Sequence, residues 1–103
     1  MRLAPVTLTV ERVLAADPAD RRRTALALAA AEVVPAGVTV VDHGDSLSYL
    51  RGDFRVAVWH PEEVRERITA FYEGRTSARP VTFGLLVPET RDLPAVEAAR
   101  GAA

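Results

Sequence analysis

Period-two alternation in three stretches, set against helical spacing in two others, constrains this chain more than any other feature. At one end of the alternating set, Val81, Phe83, Leu85 and Val87 fall on one side of an extended segment, and Thr82, Gly84 and Leu86 on the other. Residues 5–14 alternate in the same way, with Val6, Leu8 and Val10 opposed to Thr7, Thr9 and Glu11. In residues 54–60, Phe54, Val56 and Val58 oppose Arg55, Ala57 and Trp59. Residues 38–41 and 46–51 also read as strands, and Gly44-Asp45 and Gly52-Asp53 are turn or bulge signals. The segment 38–60 is therefore either a three-strand meander or one long hairpin whose first arm bulges near Gly44.

Two helices are expected between these strands. Asp17-Pro18-Ala19-Asp20 opens the first, with Asp17 as N-cap and Pro18 in the first helical position. Leu26, Ala29, Ala30 and Val33 form its apolar stripe, Leu28 points away from that stripe, and Pro35-Ala36-Gly37 ends it. The second starts at Pro61, capped by His60 or Trp59, with Glu62 and Glu63 in the first turn where the helix dipole favours acids. Val64, Ile68, Phe71 and Tyr72 make its apolar face, Glu63 and Arg67 an i,i+4 ion pair, and Gly74 its terminator. Residues 1–88 read as a single α+β domain, and residues 89–103 as a polar tail with a short helix over 94–100.

Composition narrows the setting. The chain of 103 residues contains no Cys, Asn, Gln or Lys, and Arg supplies all 13 basic residues. Lys and Asn need AT-rich codons, but Gln does not, so GC bias alone does not account for the pattern. Avoidance of Asn, Gln and Cys is a mark of heat-adapted proteins. The expected source is a hot, GC-rich bacterium. Without Cys there is no disulfide or thiolate chemistry. A net charge of −1 gives no bulk attraction to nucleic acid or to anionic membranes. With no signal-like or membrane-spanning run, the cytoplasm is the expected compartment.

The order β-α-β-β-α-β, with room for one extra strand, resembles the ferredoxin-like layout over roughly residues 5–87. That resemblance is one of topology and implies a mainly antiparallel sheet with both helices on one face. The chain as a whole is also similar to small uncharacterised proteins of thermophilic bacteria. Neither resemblance implies a chemistry.

One sheet face is then expected to lack a helical cover. It would carry Thr7, Thr9, Thr39, Val41, Arg55, Ala57, Trp59, Thr82, Gly84 and Leu86. A homodimer contact through Thr7, Thr9, Val41, Arg55, Ala57, Trp59 and Leu86 competes with a plain solvated face and with a ligand or RNA platform. Only Trp59 could stack bases there, and the basic-aromatic pattern of RNA-binding sheets is missing.

Two polar clusters remain. His43, Asp45, His60 and Glu63 converge at one sheet edge in either β topology, and imidazole with carboxylate could ligate a divalent metal or carry protons near neutral pH. The competing reading is turn chemistry, in which Asp side chains bond nearby backbone amides. Arg21, Arg22 and Arg23 sit in an expected early helical turn, where they fan around the axis and cannot all contact one phosphate. Arg51-Gly52-Asp53 is a hairpin turn, and no Gly-rich phosphate loop or nucleophile triad occurs. The expectation is a heat-stable, homodimeric interaction module without catalysis or cofactor of its own. The alternatives are a metal-dependent or acid–base enzyme using the His cluster, and an RNA-binding module on the open face.

Overall fold

Strand pairing follows the alternation, but it builds two sheets. A computed structural model describes residues 1–17, 19–74 and 79–93. In it β1 (Arg2–Leu8) runs antiparallel to β5 (Val81–Val87), with Arg2 opposite Val87 and Leu8 opposite Val81. Separately, β2 (Thr39–Asp42), β3 (Ser46–Arg51) and β4 (Phe54–Trp59) form an antiparallel meander in that order. Three helices, α1 (Val10–Ala15), α2 (Ala25–Ala31) and α3 (Glu62–Tyr72), and a short 3-10 turn at Thr90–Asp92 complete the described elements. The chain is α+β, with five antiparallel strands among the described residues.

The single ferredoxin-like sheet that the element order suggested is not what the strands form. That layout needs β1 in the middle, bonded on both sides. Pro5 has no N–H to give, and proline inside a sheet is confined to edge strands. The register shows which side is lost. Thr7 and Thr82 face each other with their hydroxyls 2.8 Å apart, and Thr7 O accepts from Arg12 Nε outside the strand pair, as expected of a non-hydrogen-bonded antiparallel pair. By alternation the Pro5–Gly84 and Leu3–Leu86 pairs are of the same kind, so their main-chain polar groups point away from the partner strand. Two side chains reach those outward groups: Arg12 Nε donates to Thr7 O at 3.1 Å, and Tyr49 Oη donates to Leu86 O at 3.0 Å. The outer side of β1 thus has one donor missing and one acceptor taken.

One core serves both sheets. Ala4, Val6 and Leu8 from β1 meet Phe83, Leu85 and Val87 from β5, as the alternation required. α3 lays Val64, Ile68 and Phe71 on β5, while α2 packs against both β1 and β2 and so ties the sheets together. Its run of Ala25, Leu26, Ala27, Ala29 and Ala30 is small enough for close approach, and all five side chains are buried. Val40, Leu47 and Tyr49 bring the inner face of the meander into the same cluster.

Several local expectations are corrected. The first strand stops at Leu8 because Thr9 is a helix N-cap, its hydroxyl accepting from Arg12 N at 3.3 Å. Val10 is therefore helical and exposed. The next helix does not open at Asp17. Asp17 Oδ1 accepts from Ala19 N at 3.0 Å and Asp20 Oδ1 from Arg22 N at 2.9 Å, so each acid closes its own turn. Thr24 caps α2 instead, accepting from Ala27 N at 3.1 Å, and Pro18 lies outside the described residues. Leu28 is half-buried, and Val33 falls beyond the helix end. At the start of α3, Pro61 is the cap and offers no side-chain bond. Tyr72 is half exposed, its ring edge-on to Phe71 at 5.8 Å. Between the two β topologies left open, the meander is the one formed. The short helix expected over residues 94–100 lies outside the described residues.

Candidate binding cleft

The residues read as a polar cluster are drawn together by the backbone and separated by their side chains. His43 N donates to Ser46 O and His60 N to Asp45 O, both at 3.0 Å, which fastens the 43–45 turn to the end of β4. Gly44 N donates to Asp42 Oδ1 at 2.8 Å and Thr24 Oγ1 to Asp42 Oδ2 at 2.8 Å, so Asp42 supports the turn and the start of α2. Gly44 itself stands at φ 90°, a conformation that glycine adopts without strain. His43 is exposed, its Nε2 2.8 Å from Ser48 Oγ on the outer face of the meander. Asp45 is exposed, and Glu63 points along α3 to Arg67 at 3.5 Å. His60 is the buried member, at 6% exposure. Among the described residues, no three His, Asp or Glu side chains are placed to share a metal ion.

The other candidates are dispersed. Arg21, Arg22 and Arg23 are exposed and precede α2, with Arg21 O accepting from Asp42 N at 2.8 Å and Arg23 N donating to Asp20 O at 2.9 Å. They lie in a turn rather than in a helical first turn. Val41, Arg55, Ala57 and Trp59 do share one face of the meander, opposite Val40, Tyr49 and Val56. Thr7 and Leu86 belong to the other sheet, and Thr9 caps α1. The interface set is thus divided between two sheets and a helix cap. Trp59, at 69% exposure, and Leu86, at 39%, meet again at the seam between the sheets.

That seam is a cleft of about 260 Å³. Leu47, Tyr49 and Val58 come to it from the inner side of the meander, and Leu3, Gly84 and Leu86 from the outward side of the β1–β5 pair. Trp59, His60 and Pro61, where β4 passes into α3, close one end. Among the described residues, no Asp, Glu or Arg lines it. His60 Nε2 is buried without a hydrogen-bond partner, and among the described residues it is the side-chain polar atom left in that state. Burial pulls the imidazole below its ordinary value of 6.5, against the opposing pull of Asp42 and Asp45, while Arg65 pushes with burial. The ring is therefore neutral at pH 7. Burial likewise raises the Tyr49 phenol far above its usual range, so Tyr49 is a fixed neutral hydroxyl.

His60 was visible in the sequence, but as a metal candidate. Leu3 and Tyr49 carry no such signal in the sequence, and Gly84 is placed there only as part of the uncovered sheet face. Gly84 carried a signal: it interrupts a strand of large apolar residues at ordinary backbone angles, and a side chain there would meet Leu3 Cδ2 at an unremarkable 3.6 Å. Nothing local to Tyr49 marks it, because its partner Leu86 is 37 residues away. No protein-family model, curated protein or solved structure matches this chain. Among the described residues, no helix is long and apolar enough to cross a membrane.

Proposed function

We propose that this protein is a small binding module whose ligand sits in the cleft between its two sheets, rather than an enzyme. The observation that supports this reading is a concave, mainly apolar site between the two sheets, with Tyr49 and His60 among its lining residues. Apolar concavity with a few converging polar groups is the usual form of a small-molecule site. The residues expected to do metal or acid–base work do not converge their side chains, which is why binding is preferred to catalysis.

Trp59 is the chain's single tryptophan and lines the cleft, so occupancy has a built-in reporter. A toluene-sized apolar probe should change Trp59 emission saturably, and Gly84→Leu, which fills the space from β5, should abolish the change. A response that does not saturate, or that survives Gly84→Leu, defeats the reading.

A second reading, self-association, is supported by α1. Val10, Val13 and Leu14 share one side of this helix at i, i+3, i+4 spacing, and Leu14 is 80% exposed. Its polar residue Arg12 is the one turned inward, held by Thr7 O and by both carboxylate oxygens of Glu32. A helix with its cation tied to the protein and its apolar stripe in solvent suits a contact with a second copy. Sedimentation equilibrium should show a dimer that Leu14→Glu dissociates, whereas Trp59→Glu should dissociate it if the sheet face is the contact. A strict monomer at high concentration removes this second reading.

A further inference from the structure

Among the described residues, the strand margins are guarded at β1, β5 and β2 and open at β4. In β1, Pro5 offers no donor, and Thr7 O is taken by Arg12 Nε. In β5, Leu86 O is taken by Tyr49 Oη. On the outer margin of β2, Asp42 N donates to Arg21 O at 2.8 Å. β4 has no such guard. His60 N donates to Asp45 O, so by alternation along the register Val58, Val56 and Phe54 are the residues that bond to β3. The N–H and C=O groups of Arg55, Ala57 and Trp59 therefore point away from β3, and no hydrogen bond from a described residue reaches them.

We infer that β4 pairs antiparallel with β4 of a second copy of this chain, two-fold about Ala57, joining the two meanders into one six-stranded sheet. This contact is separate from α1 and rests on neither reading above. The ends of the strand set its register. Pro61 is next in the outward series and has no N–H, and Gly52-Asp53 is the turn from β3. Residues 55, 57 and 59 are left to bond outward. A two-fold centred on Ala57 uses all three in both copies, with Ala57 opposite its own copy and Arg55 opposite the partner's Trp59. Centring on Arg55 sets two guanidinium groups against each other, and centring on Trp59 runs Pro61 into the ladder. Centring on Val56 or Val58 puts Trp59 against Asp53 or Arg55 against Pro61, beyond the strand ends.

The side chains favour the same occupant. Arg55, Ala57 and Trp59 share one exposed face of β4. Residues directly opposite across two strands have Cβ atoms about 5 Å apart. Each Arg55 guanidinium can then lie over the partner's Trp59, a cation–π pair made twice. Arg55 has no ion pair among the described residues to give up. On the other face, Val56 comes opposite the partner's Val58. Both valines are only half-buried in the single chain, whereas Leu47 and Tyr49, beside them on β3, are buried. Two-fold pairing consumes the open margin of both copies and leaves the guarded β2 margins outside, so the assembly closes at two chains.

Sedimentation equilibrium and hydrogen exchange on the full chain test this. The chain should sediment at twice its own mass. The amides of Arg55, Ala57 and Trp59 should exchange about tenfold more slowly than in the same protein diluted to monomer. Ala57→Pro removes the central donor at a margin where the bonds to β3 are kept, and should give a monomer, whereas Leu14→Glu should leave the dimer. A thermal melt shows whether the proline variant folds. If it does not, Ala57→Cys decides, because the chain has no other cysteine and the two Cα atoms across the axis stand about 5.5 Å apart, within disulfide reach. Under mild oxidation Ala57→Cys should cross-link as a dimer, and Arg55→Cys, displaced along the strand from its own copy, should not. A strict monomer at high concentration overturns the inference, leaves the margin to a segment of another protein, and removes the α1 contact too. A dimer that Leu14→Glu dissociates while the three amides stay fast overturns the β4 contact alone. Faster cross-linking through Arg55→Cys than through Ala57→Cys overturns the register.

Discussion

The two sheets solve the same problem at different ranges. The meander is local: β2, β3 and β4 lie within residues 39–59, and its turns bring neighbours together at small entropic cost. The β1–β5 pair joins residues 2–8 to residues 81–87, across nearly the whole described chain. Two strands alone are marginal in water. This pair persists because α2 and α3 cover its inner side and Tyr49 reaches its outer side from the meander. The meander is built from local pairings, whereas the β1–β5 pair depends on contacts from helices and strands distant in sequence.

The largest expected effect tests that dependence directly. Leu85→Ala empties a buried position of the long-range sheet and should cost about 2–5 kcal/mol by chemical denaturation. Hydrogen exchange should show amides of β1 and β5 losing protection before those of β3. If β3 loses protection first or at the same rate, the sheets form one cooperative unit and the contrast is false.

Acid probes the junction between the sheets. Folded His60 is held below 6.5 by burial. As pH falls through 6.5, the unfolded chain takes up its proton first, so stability present above 6.5 is lost toward the lower folded value. The slope should reach at most about 1.4 kcal/mol per pH unit. His60→Phe should flatten that part of the curve, and a wild-type slope in the variant would assign the effect to other groups.

A smaller change separates the sheets chemically. Tyr49→Phe removes the bond to Leu86 O and should cost about 1 kcal/mol, with the amide shifts of residues 84–87 moving more than those of β2. Smallest, and opposite in sign, Gly84→Ala should raise stability by about 0.5 kcal/mol, because alanine gives up less backbone freedom and fits against Leu3. A clear loss of stability there would mean that the strand needs glycine for a reason the contacts do not show.

Alternation proved a good guide to which side chains are buried. Phe83, Leu85 and Val87 face inward and Arg55, Ala57 and Trp59 outward, because a strand has only two faces and one must be covered. Helix limits were harder to read. Thr9, Asp17, Asp20 and Thr24 are all suitable caps, and the choice among them depends on tertiary bonds such as Thr24 to Asp42, 18 residues away. Pro5 was legible evidence against a central β1, masked by the regular alternation around it. The cleft was the least legible, since it exists only between strands that do not pair with each other.

The treatment of the β1–β5 margins has a consequence for how the protein behaves when crowded. Unsatisfied strand edges invite copies to add one after another into fibres. Here proline withholds a donor on one margin, and Arg12 and Tyr49 occupy carbonyls on the two. Growth by main-chain addition is thereby obstructed at the sheet assembled from the most distant segments of the described chain.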